Sequence, residues 1–229
     1  MIAGGLLPLF LTPKTEPKIS FSPVNSIAYE NEHQKMFLTS REKLALLLYG
    51  GQYVYVGEDM MTSTSQQIQD VLLDRLDTYF AQGFLPNITQ FVEISLRPCM
   101  IFETENGDKF NLFWQASVTY ENELDQLTIF CTMDDETQKL YSFYCGTWNT
   151  PIFQEDPEHG LYRFADNFFD LLGISDAELY ANSVFRDSLD YLVPVTENDK
   201  ILVEFYYLEG NLSTYVFSPM DRQVMQTAE

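Results

Sequence analysis

Leu127-Thr-Ile-Phe-Cys-Thr-Met-Asp-Asp-Glu-Thr-Gln-Lys-Leu-Tyr-Ser-Phe143 is the stretch on which the fold turns. Two runs rich in β-branched and aromatic residues, Leu127–Met133 and Leu140–Cys145, flank the turn-forming cluster Asp134-Asp135-Glu136-Thr137, and this predicts an antiparallel hairpin. Upstream, Asn106-Gly107 is the preferred pair for a two-residue type I′ turn, because both positions need positive φ. It predicts pairing of Cys99–Thr104 with Lys109–Val118. From Phe91 to Gly146 the chain therefore reads as an antiparallel meander.

Helical patterns surround this meander. From Thr64 to Ala81, Ile68, Val71, Leu72, Leu76, Tyr79 and Phe80 recur at the spacing of one helix face. Gln69, Asp70, Asp74, Asp77 and Thr78 occupy the other, and Gly83 and Pro86 close the helix. Earlier, Thr39-Ser40-Arg41-Glu42 has capping-box spacing and opens a shorter helix that carries Leu44, Leu47 and Leu48 and stops at Gly50-Gly51. Tyr53–Val56 is too short for periodicity to separate strand from turn. After a linker over Thr147–Glu155, Asp156-Pro157-Glu158 supplies an N-cap, a preset φ and a first-turn carboxylate. Leu161, Phe164, Ala165, Phe168 and Leu172 continue as a stripe to Gly173. Ser175-Asp176-Ala177-Glu178 repeats the capping-box spacing and predicts another helix toward Tyr191. A closing hairpin pairs Ile201–Leu208 with Leu212–Ser218 around Glu209-Gly210-Asn211, with Ile201, Val203, Phe205 and Tyr207 on one face.

The expected class is α+β, with helices packed on antiparallel β-meanders. Residues 1–35 form an apolar segment and extended linker, 36–149 helices plus a meander, and 150–229 a helical pair plus a C-terminal hairpin. This order fits two similar helix-then-meander units, or one sheet shared by both halves.

The central hairpin resembles the closing strands of PepSY-like domains, in which a helix precedes a small antiparallel sheet ending in a strand, Asp-x-x-Thr-Gly-x-Ile/Leu, strand signature. Asp134 or Asp135, Thr137 and Leu140 match, while Gln138 stands where the family has Gly. The similarity spans residues 64–146 at most, and the chain is also similar to the soluble parts of membrane-anchored proteins from Gram-positive bacteria. The resemblance implies an extracytoplasmic inhibitor, regulator or accessory module.

Composition restricts the partners. Of 229 residues 45% are apolar and 15% aromatic, enough to build a folded core. Thirteen Lys and Arg against thirty-four Asp and Glu give a net charge of −21. Residues 1–43 hold Lys14, Lys18, Lys35, Arg41 and Lys43 against Glu16, Glu30, Glu32 and Glu42, so the deficit lies wholly beyond them. Such a body repels phosphate backbones, which argues against nucleic acid, and favours a basic protein or peptide partner. Residues 2–11 are apolar or small and run into a stretch containing Pro13, Pro17 and Pro23. Ten residues cannot span a bilayer, which needs about 20. They read either as the second half of a hydrophobic anchor, which an upstream start would complete, or as an N-terminal tail that is disordered or docked.

Catalytic chemistry finds little purchase. Cys99, Cys131 and Cys145 lack metal-ligand spacing and read as buried thiols; Tyr141, expected roughly opposite Cys131, argues against a Cys131–Cys145 bridge. His33 and His159 are isolated from any zinc motif, and Glu155, Asp156, Glu158 and His159 read as helix-capping rather than metal-binding residues. Asp134-Asp135-Glu136 lacks the alternating acidic pattern of a calcium loop. No catalytic residue, cofactor or metal is expected. The aromatic residues of the meander offer a different signal, because strands place alternate residues on opposite faces. Phe110, Trp114, Tyr120, Tyr141, Tyr144 and Trp148 are the candidates for a partner-binding groove, unless the second half of the chain covers them. Three functions remain in view: a non-enzymatic extracytoplasmic binding or regulatory module tethered near the membrane, a cytoplasmic acidic inhibitor covering a basic surface, and a carboxylate-based hydrolase.

Overall fold

The computed structural model describes residues 37–50, 52–103, 109–153, 156–180, 188–208 and 211–217. The apolar N-terminal segment, the Asn106-Gly107 turn and the Glu209-Gly210 turn lie outside the described residues. The elements are α1 (Ser40–Gly50), β1 (Gln52–Tyr55), α2 (Ser65–Ala81), β2 (Gln90–Phe102), β3 (Phe110–Glu121), β4 (Gln126–Asp134), β5 (Leu140–Gly146), α3 (Pro157–Leu172), β6 (Glu178–Leu179), β7 (Ser188–Pro194), β8 (Lys200–Leu208) and β9 (Asn211–Phe217). Among the described residues no helix is long and apolar enough to cross a membrane.

The α+β class is realised as one nine-stranded antiparallel sheet in the order β1-β2-β3-β4-β5-β9-β8-β7-β6. Both halves share this sheet. The meanders β2–β5 and β6–β9 meet through their last strands, with Tyr144 opposite Ser213 and Cys145 opposite Leu212. That seam is short, and side chains reinforce it. The Thr214 hydroxyl accepts from the Phe143 amide at 2.8 Å and donates to the Phe143 carbonyl at 3.3 Å. Over it, Tyr79 of α2 and Phe164 of α3 set their rings 5.7 and 5.4 Å from Phe143, and Phe164 also reaches Phe205 of β8.

The stripes of α2 and α3 behave as their spacing dictates, whereas α1 buries Leu44, Ala45 and Leu46 and leaves Leu47 half-buried. Thr64 caps α2 in a reciprocal pair with Gln67, and Ile68, Leu72, Leu76 and Tyr79 are buried beneath it. Asp156 accepts from the His159 amide to open α3, and Gly173 closes it at φ 73°. At α1, the Glu42 carboxylate accepts from the Thr39 amide and the Thr39 hydroxyl from the Glu42 amide, the reciprocal pair that its sequence predicts.

Two expectations are corrected. The helix from Ser175 toward Tyr191 does not form: Glu178–Leu179 is β6 and Ser188–Pro194 is β7, so the C-terminal part holds one helix and four strands among the described residues. Residues 181–187 fall outside them. Leu189, Tyr191 and Val193 alternate onto the α3 side and are buried by pairing with β8, and this strand periodicity overrides a local capping signal that no helical stripe supports. In the central hairpin, Phe143 and not Tyr141 opposes Cys131: the turn sets Met133 opposite Leu140, one residue beyond the expected register, and a bulge at Thr132/Met133 then adds Tyr141 as an extra residue.

Both faces of the sheet are covered at one end. Phe113 and Trp114 are successive strand residues pointing to opposite faces, yet each is 0% exposed. The helices α2 and α3 lie on the Trp114 side. On the other side α1 lies against β2 and β9, with its Lys43 reaching Asp134.

Candidate functional site

The six aromatic candidates do not form one groove. Trp114 and Tyr120 lie on the helix side of β3 and are buried. Tyr141, the bulge residue, is also buried and sets its ring 5.9 Å from that of Phe113. Burial pushes the Tyr120 hydroxyl up to about 12, and the nearby Asp77 charge adds to the shift. Phe110 stands at the margin of exposure, Tyr144 is half-buried on the open face beside Phe130, and Trp148 is 85% exposed.

The acidic turn of the central hairpin is a structural knot. One Asp134 oxygen accepts from the amide and hydroxyl of Thr137, and the other accepts from Lys43 Nζ and Asn111 Nδ2, both at 2.7 Å. Burial opposes ionisation, but Lys43 and the other donors outweigh it and hold the Asp134 carboxyl below its ordinary value. Asp135 accepts from the amides of Thr62 and Ser63 and from Trp114 Nε1. Protein donors thus occupy the oxygens a calcium ion would need. Among the described residues no group of His, Cys, Asp and Glu is placed to hold a metal ion. Cys99, Cys131 and Cys145 are buried free thiols, with burial pushing Cys99 to about 11 and Cys131 to about 12.

A second acidic knot builds an exposed site. Asn122 Oδ1 accepts from the amides of Leu124 and Asp125, folding the β3–β4 turn. Asp125 Oδ1 then accepts from the amides of Gln126 and Trp148, and Oδ2 from those of Asn149 and Thr150, at 2.7 to 3.0 Å. Burial would raise this carboxyl, and the hydrogen bonds, led by that of Asn149, outweigh it to hold the group down at about 2. Two surface loops, remote in sequence, are therefore clamped at their backbones. Asn149 Nδ2 adds a bond to the Leu124 carbonyl, and the Thr147 hydroxyl bonds the Thr150 carbonyl. The clamp leaves Trp148 and Leu124, 85% and 84% exposed, standing in solvent.

A cleft of about 390 Å³ lies between the end of α2 and the start of α3, lined by Phe80, Leu85, Ile152 and Phe153 with Asp156, His159 and Arg163 among its polar groups. Its polar groups already have structural duties. Asp156 caps α3, and Arg163 donates to the Gln82 carbonyl while stacking over Phe84. No pair of carboxylates converges among the described lining residues.

No protein-family model, curated protein or solved structure matches the chain. Of the site as built, sequence reasoning singles out Trp148 but misses Leu124 and Asp125. The available signal was the Asn122 turn, whose Asn-x-x-Asp spacing announces a folded turn without revealing what Asp125 reaches.

Proposed function

We propose that this chain is a non-enzymatic binding or regulatory module that engages a protein partner through the clamped loops bearing Trp148 and Leu124. The observation that carries this reading is the pairing of the Asp125 clamp with the exposure of these two side chains. An apolar side chain on fixed backbone loses little conformational freedom on binding, and Trp is the residue most enriched in binding hot spots. The acidic composition supports a basic partner surface, and the apolar N-terminal decapeptide supports a position near an extracytoplasmic membrane face. The net charge of −21 disfavours anionic lipid headgroups as the target of Trp148. If the decapeptide instead belongs to a cytoplasmic tail, the same surface serves the acidic-inhibitor function, and fractionation of the native protein separates the two.

A photo-crosslinking residue placed at position 148 in the producing cells tests the module reading, with position 179 on β6 as the exposed control. The expected result is one adduct of discrete size from position 148 and none from 179. No adduct from 148, or the same adducts from both positions, contradicts it.

A further inference from the structure

We infer that the free edge of β2 is a strand-addition site for an extended, basic polypeptide segment, an inference that rests on the binding-module reading. Here β1 pairs with β2 only from Cys99 to Phe102, whereas β3 pairs with it from Gln90 onward. Among the described residues, nothing pairs with β2 on the β1 side before Pro98. The Pro98 carbonyl accepts from the Val56 amide, which fixes the direction of the backbone groups. Main-chain groups alternate sides along a strand, so those of Ile94 and Leu96 point the same way as Pro98, toward open solvent. Pro98 fits this geometry, since its missing N–H would have pointed to the edge and not to β3. The side chains of Phe91, Val92, Glu93, Ser95 and Arg97 are exposed, so this stretch of β2 stands in solvent.

The surroundings select the occupant. Phe91 packs its ring 5.9 Å from Tyr120, which in turn meets Phe80 at 5.1 Å, leaving an apolar shelf at the start of the strand. Asp77 lies close enough to this cluster to raise the Tyr120 hydroxyl, and Asp70, seven residues earlier, shares its exposed flank of α2. Glu93 on the edge and Glu121 opposite Gln90 add two more exposed carboxylates. Arg97 is turned toward β1, over the Tyr55 ring. A segment alternating Lys or Arg with β-branched residues would complete the free backbone bonds, lay its β-branched side chains on the apolar shelf of the α2 face and set its basic ones beside Glu93 and Glu121 on the opposite face, within the wider field of Asp77 and Asp70.

The probe is an octapeptide of alternating lysine and valine, added to the full chain at low salt, with the alternating glutamate and valine octapeptide as control. Amide hydrogen exchange is read at Ile94 and Leu96. Both amides should slow at least tenfold with the lysine peptide only, and Glu93→Lys should weaken binding by about fivefold without changing the unfolding midpoint. No binding, binding that leaves both amides exchanging freely, or equal binding of the glutamate peptide overturns the inference. A partner that crosslinks through position 148 while Ile94 and Leu96 stay unprotected also overturns the strand addition but leaves the module reading standing. Absence of both signals removes both.

Discussion

At the scale of single residues, aspartate does most of the organising. Asp134 grips the amide and hydroxyl of Thr137, the arrangement implied by the Asp-x-x-Thr spacing. Gln138 follows at φ 54°, a conformation in which glycine would be unstrained. Its side chain reaches Ser63 Oγ at 3.3 Å, tying the turn to the start of α2. Asp125 is the counterpart that sequence could not reveal, because its partners at 148–150 lie 23 to 25 residues away. Asp125→Asn retains one acceptor oxygen and aims an NH2 at the amides, which should cost about 1–3 kcal/mol in urea unfolding at pH 7. Its carboxyl titrates at about 2 when folded against about 3.9 when unfolded, so its stabilisation is full above that unfolded value and fades as pH falls toward 2. The stability gap between wild type and variant should therefore narrow over that window; a constant gap would mean that the clamp does not depend on the charge.

Among the elements, legibility followed periodicity. The stripes of α2 and α3 are long enough that their faces could be read directly, and the structure buries Ile68, Leu72, Leu76, Leu161, Phe164 and Phe168 as those faces require. The capping spacing at Ser175 misled because a cap fixes only a first turn, whereas β7 gains its burial from pairing with β8. Gly160 shows how tightly α3 docks on the linker. A Cβ at this position would sit 2.5 Å from the Phe153 ring, which is itself buried and packed 5.1 Å from Tyr207. Alanine is the better helix former by about 1 kcal/mol, but overpacking of about 1–3 kcal/mol opposes that gain. Gly160→Ala should therefore lower the unfolding free energy by roughly 1 kcal/mol, and a stabilised variant would show that the Phe153 ring swings aside.

Over the whole molecule, the feature least accessible to sequence was the joining of the two meanders through β5 and β9, since no local pattern says which strands from distant segments become neighbours. That junction gives one sheet with a helix face held by α2 and α3, an opposite face covered at one end by α1, and the two proposed recognition surfaces beside the β3–β4 turn and along β2. The aromatic residues of the meander divide between two places, Trp114, Tyr120 and Tyr141 in the interior and Trp148 at the surface. The decisive measurement is the affinity of Trp148→Ala for the partner captured through position 148, taken together with its unfolding free energy. Binding at least tenfold weaker, with stability unchanged within about 0.5 kcal/mol, is the predicted outcome. Undiminished affinity, or a loss of stability that accounts for the weakened binding, would contradict it.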